Sequence, residues 1–184
     1  MERRTQMISN ANLHIVITGP ESTGKTELSK YLACHFHGLY VPELAREYIE
    51  KLNRKYNYYD VQNIAIKQIK QQQEVSEKRT GFIFLDTWLI ITKIWFLEVF
   101  GHYPDWINTT LEKTKIDLYL LCAPDIPWIP DTVRENGGKR RNYLFNRYEK
   151  EIVDLGIPYY IIKGKGQERF RNAEKIIYKH FRLQ

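Results

Sequence analysis

The chain has 184 residues, 43% hydrophobic and 27% charged, proportions of one globular domain that exclude a disordered or collagen-like chain. Only Cys34 and Cys122 occur, too few for a disulfide scaffold, and both are expected as buried thiols. The net charge of +6 is concentrated late: residues 134–150 carry six Lys/Arg against two Glu, and residues 163–184 seven against two. That distribution points to local anion handling; solvated helix faces account for most such lysines, and a nucleic-acid partner is not expected.

No apolar run approaches the ~20 residues of a bilayer crossing, and residues 1–12 have no apolar signal core, so a cytoplasmic protein without a membrane partner is expected. Residues 13–18 read as a strand, followed by a helix over 26–37 with Leu28, Leu32 and Phe36 on one face. Residues 39–41 form a short strand and 44–52 a helix. Asp60 reads as the N-cap of a helix to about residue 78, with Val61, Ile64, Ala65 and Val75 on its apolar face. Residues 82–85 are continuously apolar, as a strand covered on both faces is; a helix over 88–100 follows. Residues 118–122 and 159–162 are two more buried strands. Leu144, Tyr148, Ile152 and Leu155 mark a helix between them, and Phe170, Ala173, Ile177 and Phe181 a last one. Five strands alternating with helices predict an α/β three-layer sandwich with a five-stranded parallel sheet, one domain over residues 1–184.

Gly19-Pro20-Glu21-Ser22-Thr23-Gly24-Lys25-Thr26 matches G-x-x-x-x-G-K-[ST] at every fixed position, between a strand and a helix. Gly19 and Gly24 allow the backbone to wrap its N–H groups around a phosphate. Lys25 sets a cation against the β- and γ-phosphates, the Thr26 hydroxyl ligates Mg²⁺, and the following helix points its positive end at the anion. Glu21, Ser22 and Thr23 in the loop and Glu27 in the first helical turn complete the expected ATP-binding set, although the Glu21 side chain has no required role.

Asp86 follows an apolar strand, as a Walker B carboxylate does, where it would hold Mg²⁺ through water or take a proton from an acceptor hydroxyl; the alternative is a helix N-cap before Thr87. Glu43 lies just past a short strand, also facing the cleft, with Arg46 one turn on; a first-turn Glu satisfying the helix dipole is the alternative. Residues 124–147 begin irregular, with Pro127, Pro130, Gly137 and Gly138, and then supply Arg134, Lys139, Arg140, Arg141 and Arg147. This is the pattern of a basic lid that neutralises charge and expels water during phosphoryl transfer; a solvated basic helix is the alternative. Gly164 to Phe170 follow the last strand, where P-loop kinases border the adenine, making Gln167 and Arg169, with Arg140 of the lid, the remaining nucleotide-binding candidates.

The Pro-Glu-Ser-Thr phosphate loop, Glu43-Leu44-Ala45-Arg46-Glu47-Tyr48, Leu85-Asp86-Thr87, Pro127-Trp128-Ile129-Pro130-Asp131-Thr132-Val133-Arg134 and Gly166-Gln167-Glu168-Arg169-Phe170 together resemble the ribosylnicotinamide kinase domain of NadR-type proteins. The resemblance runs over residues 12–181. It implies transfer of the γ-phosphate of ATP to the ribose 5′-hydroxyl of nicotinamide riboside, giving nicotinamide mononucleotide in NAD biosynthesis. Carried over, Lys25 and Thr26 serve phosphates and metal; Asp86 and Glu43 bind and deprotonate the ribose hydroxyl; Asp131, Arg134 and Arg141 belong to the lid. Trp88, Tyr48 and Trp128 are candidate aromatic walls for a cationic pyridinium ring; core packing is the alternative for each. The adenylyltransferase and repressor roles of such proteins are not carried over, because twelve polar residues precede the first strand and no H-x-G-H occurs. A kinase for another nucleoside or nucleotide, or a nucleotide-sensing regulatory ATPase, stands as the alternative. The base among Glu43 and Asp86, GTP as donor, and a homo-oligomer are left open.

Overall fold

In the computed structural model, which describes residues 12–78, 81–130 and 136–183, each of the five segments read as strands becomes a strand of one parallel sheet. The strands are β1 (Leu13–Thr18), β2 (Leu39–Val41), β3 (Phe82–Asp86), β4 (Leu118–Cys122) and β5 (Tyr159–Ile162). Their spatial order is β2-β3-β1-β4-β5. The helices are α1 (Lys25–His35), α2 (Ala45–Glu50), α3 (Tyr58–Ser76), α4 (Leu89–Phe100), α5 (Trp106–Lys113), α6 (Lys139–Asp154) and α7 (Gln167–Phe181).

Because strand side chains alternate between faces, the central strands feed two separate cores. Val16, Ile83, Leu85, Tyr119 and Leu121 pack with Val61 and Ala65 of α3, Leu89, Ile90 and Ile94 of α4, Ile107 of α5 and Leu144 of α6. Ile15, Ile17, Phe82, Phe84, Leu118 and Leu120 pack with Leu28 and Leu32 of α1 and Ala173 and Ile177 of α7. The expected three-layer sandwich is therefore present. The register sets Ile17 beside Asp86 and Thr18 beside Leu121, which brings the ends of β1, β3 and β4 to one edge. No helix among the described residues is long and apolar enough to cross a membrane.

Five local expectations are corrected. β5, expected as a buried strand, lies at the edge of the sheet and leaves Tyr160 and Ile161 exposed. Asn57, not Asp60, caps α3: its side chain accepts from the Asp60 amide at 3.1 Å, and the Asp60 carboxylate accepts from the Asn57 amide at 2.8 Å, a capping box with Asp60 at the third helical position. Asp86 does not cap a helix, since it ends β3 and α4 begins three residues later after Trp88. Helix α5 was not expected; of its eight residues only Ile107 and Leu111 are fully buried, too short a pattern to read by period. Cys34 is exposed, and only Cys122 is a buried thiol.

Candidate active site

The phosphate loop leaves β1 at the carboxyl edge of the sheet. Gly19 has φ +141°, and a Cβ there would lie 2.7 Å from the Cys122 carbonyl oxygen, so only glycine lets the loop pass over the end of β4. Ser22 also takes a left-handed φ of 56°. Gly24, at φ 74°, caps α1 without a side-chain bond, which leaves the helix's first amides facing the loop. The loop is curled around its own carbonyl: Lys25 Nζ and Thr23 Oγ1 both donate to the Pro20 oxygen at 2.9 Å. Thr26 and Glu27 are exposed.

Beside the loop, Asp86 is 2% exposed and its Oδ1 has no hydrogen-bond partner. Its Oδ2 accepts from the Tyr40 hydroxyl of β2 at 3.3 Å. Burial and the neighbouring Asp86 charge push the Tyr40 phenol's ionisation well above its ordinary range, so it stays a neutral donor. The next residue, Thr87, is held at φ 73° with its amide bonded to the Ile17 oxygen at 2.9 Å. A β-branched residue there is strained, and the strain turns the chain sharply away just after the carboxylate.

Glu43, half-buried after β2, completes the group. Burial raises its affinity for a proton; the Lys25 and Arg46 charges oppose this, and the Asp86 and Glu21 charges reinforce it. Glu43 therefore lies within electrostatic reach of Lys25, Asp86 and Arg46, and Arg46 also pairs with Glu50 at 3.5 Å. The orphaned Asp86 Oδ1 and the exposed Thr26 hydroxyl fit the small protein share of a Mg²⁺ site, which takes its remaining ligands from phosphate and water. No group of three or more His, Cys, Asp or Glu that would hold a metal by protein alone occurs among the described residues.

The basic segment is only partly as expected. Arg141 in the first turn of α6 is buried and lies against the loop, donating to the Ser22 oxygen at 3.0 Å and the Ile126 oxygen at 2.9 Å. Arg140 points away, to Asn136 Oδ1 at 2.6 Å and Glu98 Oε2 at 3.2 Å, and Arg147 also bonds Glu98, at 2.9 Å. Asp131 and Arg134 lie outside the described residues. Arg169, 2% exposed, is a structural pin: it donates to the oxygens of Ile162, Gly164 and Ala123 and pairs with Asp125, tying the turn after β5 to the end of β4. Gln167 is exposed at the start of α7.

The aromatic walls are corrected most. Trp88 is 2% exposed and belongs to the core under α4. Tyr48 carries Lys67 Nζ 4.8 Å over its ring and bonds Asp60 Oδ1 at 3.2 Å. A Cβ on Gly137 would meet the Trp128 indole at 3.2 Å, so the indole lies against that backbone. Two tyrosines were missed: Tyr40, hidden in a strand of three residues, and buried Tyr148 of α6, within electrostatic reach of Glu21 and Glu43. The Glu21 side chain, expected to have no required role, accepts from both the backbone and the side-chain nitrogen of Asn136.

The family model of the AAA domain matches residues 14–169. The trifunctional NAD biosynthesis/regulator protein NadR of Salmonella typhimurium is 24% identical over 145 residues, which are 76% of this chain and 35% of that protein. The chain thus spans about a third of the length of the curated relatives it matches. A NadR protein in complex with NR superposes with a TM-score of 0.75 at 21% identity, covering 97% of this chain and 53% of that one, and its complex with NAD and AMP-PNP gives 0.74. Deoxyadenosine kinase from M. mycoides, with dCMP and dCDP bound, gives 0.67 at 14% identity, covering 91% of this chain and all of that one. These likenesses show the fold, an α/β sandwich shared with the NadR proteins and the deoxyadenosine kinase.

Proposed function

The chain belongs to the AAA domain family, and on that premise we propose that it is an ATP-dependent kinase that phosphorylates the ribose 5′-hydroxyl of nicotinamide riboside. One observation carries the phosphotransfer reading: two carboxylates, Asp86 with an unpartnered buried oxygen and Glu43 with a raised proton affinity, converge beside Lys25 of the phosphate loop. A loop that only sensed nucleotide could use Asp86 for its metal but would have no need of Glu43. The choice of acceptor is supported by the likeness to NadR in sequence and to its NR complex in fold.

In this reading the loop amides and the N-terminus of α1 hold the phosphates. Lys25 Nζ exchanges the Pro20 oxygen for the transferring group and neutralises its spreading charge. Glu43 accepts the proton of the 5′-hydroxyl, since burial raises its affinity for a proton. The new O–P bond forms as the bond from the γ-phosphorus to the leaving ADP oxygen breaks. Asp86, oriented by Tyr40, offers Oδ1 with the Thr26 hydroxyl to Mg²⁺, which when bound offsets phosphate charge. Arg141 adds a buried cation at the lip of the loop.

The test is incubation with Mg²⁺-ATP and a panel of nucleosides, with products read by mass spectrometry. Nicotinamide mononucleotide formed from nicotinamide riboside alone is expected. Product from a deoxynucleoside instead would keep the mechanism and replace the acceptor, and ATP hydrolysis with no phosphorylated acceptor would refute the kinase reading.

A further inference from the structure

A carboxylate inside a loop built for anions works against nucleotide binding, and the mechanism above gives Glu21 nothing to do. Its oxygens are nevertheless engaged: Oε2 accepts from the Asn136 amide at 2.9 Å and Oε1 from Asn136 Nδ2 at 2.8 Å. Asn136 stands three residues before α6, and its own Oδ1 accepts from Arg140 Nε at 2.6 Å. Arg140 continues to Glu98 of α4. The next loop residue makes a parallel set of bonds: the Ser22 carbonyl accepts from Arg141 at 3.0 Å, and its hydroxyl accepts from the Ile129 amide at 3.0 Å.

Gly138, the N-cap of α6, supplies no side-chain bond, so the helix start depends on such outside partners for its placement. Nearly three turns further on, α6 carries buried Tyr148, which lies within electrostatic reach of Glu21 and Glu43. The start of α6 therefore governs where both Arg141 and Tyr148 stand relative to the phosphate loop and the acceptor carboxylate.

We propose that Glu21 is a positioning residue: by gripping Asn136 it seats the first turn of α6 on the phosphate loop, so that Arg141 and Tyr148 are in place when phosphate is transferred. Its role in the reaction rests on the kinase reading. The bond itself does not. Glu21 thus contributes to turnover while contributing nothing to nucleotide affinity, the reverse of what its place in the motif suggests.

The experiment compares E21A, N136A and the double variant, with E21Q as a variant that keeps an acceptor oxygen without the charge. For each, kcat and KM with ATP and acceptor, the Kd of AMP-PNP and the thermal midpoint are measured. Each alanine variant is expected to lower kcat roughly tenfold to a hundredfold, the scale of a displaced group near the reacting atoms. The double variant should be no worse than the poorer single, because both remove one interaction. AMP-PNP affinity should hold or tighten in E21A and E21Q, and E21Q should recover kcat relative to E21A. Multiplicative losses, a kcat loss that follows a loss of AMP-PNP affinity, or E21Q no better than E21A would overturn the proposal. If the wild type phosphorylates no nucleoside, the kinase reading fails separately. Hydrogen exchange at the Asn136 amide then decides: faster exchange in E21A keeps the grip, and an unchanged rate refutes it.

Discussion

Replacing Glu43 by glutamine tests both the chemistry and the electrostatics of the site. The side chain keeps its volume and loses its charge and its capacity to accept a proton. Removal of a general base costs about 10²–10⁴ in rate, or roughly 3–5 kcal/mol of transition-state stabilisation. The loss should fall on kcat alone, because Glu43 is placed to act on the acceptor. Nucleotide affinity should stay level or rise, since the Lys25 cation loses a competing carboxylate. Stability should move the opposite way from activity. Burial raises the proton affinity of Glu43 in the folded chain, so the folded state binds the proton more tightly than the unfolded one. Ionised Glu43 therefore costs stability above its folded pKa, and that cost fades as pH falls through it toward the ordinary carboxylate range. E43Q should accordingly melt at or above the wild-type temperature at alkaline pH, and the difference should shrink on acidification. The wild-type kcat/KM profile should have an acid limb above the ordinary glutamate range that E43Q lacks. Steady-state kinetics across pH, paired with thermal melts in the same buffers, measure all three. A variant within about threefold of wild-type kcat, or one whose kcat loss comes with a lower melting temperature, refutes Glu43 as the base.

Three further outcomes follow from the same geometry. Lys25→Ala should lower transfer by about 10²–10³-fold by removing the cation at the transferring group, with little change in melting temperature because Thr23 still bonds the Pro20 oxygen; full activity would dismiss the phosphate-loop assignment. Tyr40→Phe should lower kcat about tenfold with unchanged AMP-PNP affinity, since it frees the Asp86 carboxylate to rotate; a fall in stability alone would make Tyr40 a packing residue. Asp60 is held down to about 2, first by its hydrogen bonds from Arg54, which outweigh its burial, and then by the Asn57 amide. Because that pKa is depressed, the advantage of wild type over Asp60→Asn is complete above about pH 4 and disappears toward pH 2. Arg54 is 55% exposed, so solvent screening limits the advantage to about 1–2 kcal/mol; urea melts along this pH range measure it, and a constant difference would contradict the pairing.

The sheet, the layer order and the phosphate loop were legible in the sequence because each depends on residue types repeated at a fixed spacing. Gly19, Gly24, Lys25 and Thr26 are required by backbone shape and charge wherever such a loop occurs, and the strands announce themselves as apolar runs. Asp86 and Glu43 were legible by their place after strands. What the sequence hid is the direction in which a long polar side chain turns. Arg140, Arg141 and Arg169 look alike in a list of basic residues, yet one reaches Glu98, one reaches the loop and one is consumed by strand-end carbonyls. Tyr40 and Trp88 show the same limit for aromatics: both follow or lie in strands, and only the packing decides that Tyr40 serves a carboxylate and Trp88 the core. Asn57 was missed as a cap because Asp60, three residues on, satisfies the same preference.

The strand order also has a consequence for how the chain comes together. β1 lies at the centre, and both of its partners, β3 and β4, are later in the sequence, while β2 pairs only with β3. As the chain is synthesised, the phosphate-loop segment emerges with no neighbouring strand to pair with until β3 is out, and the Cys122 backbone beneath Gly19 comes later still. Contacts so distant along the chain are slow to close. A nascent chain ending before Phe82 holds the whole nucleotide motif and none of the strand pairs that shape it.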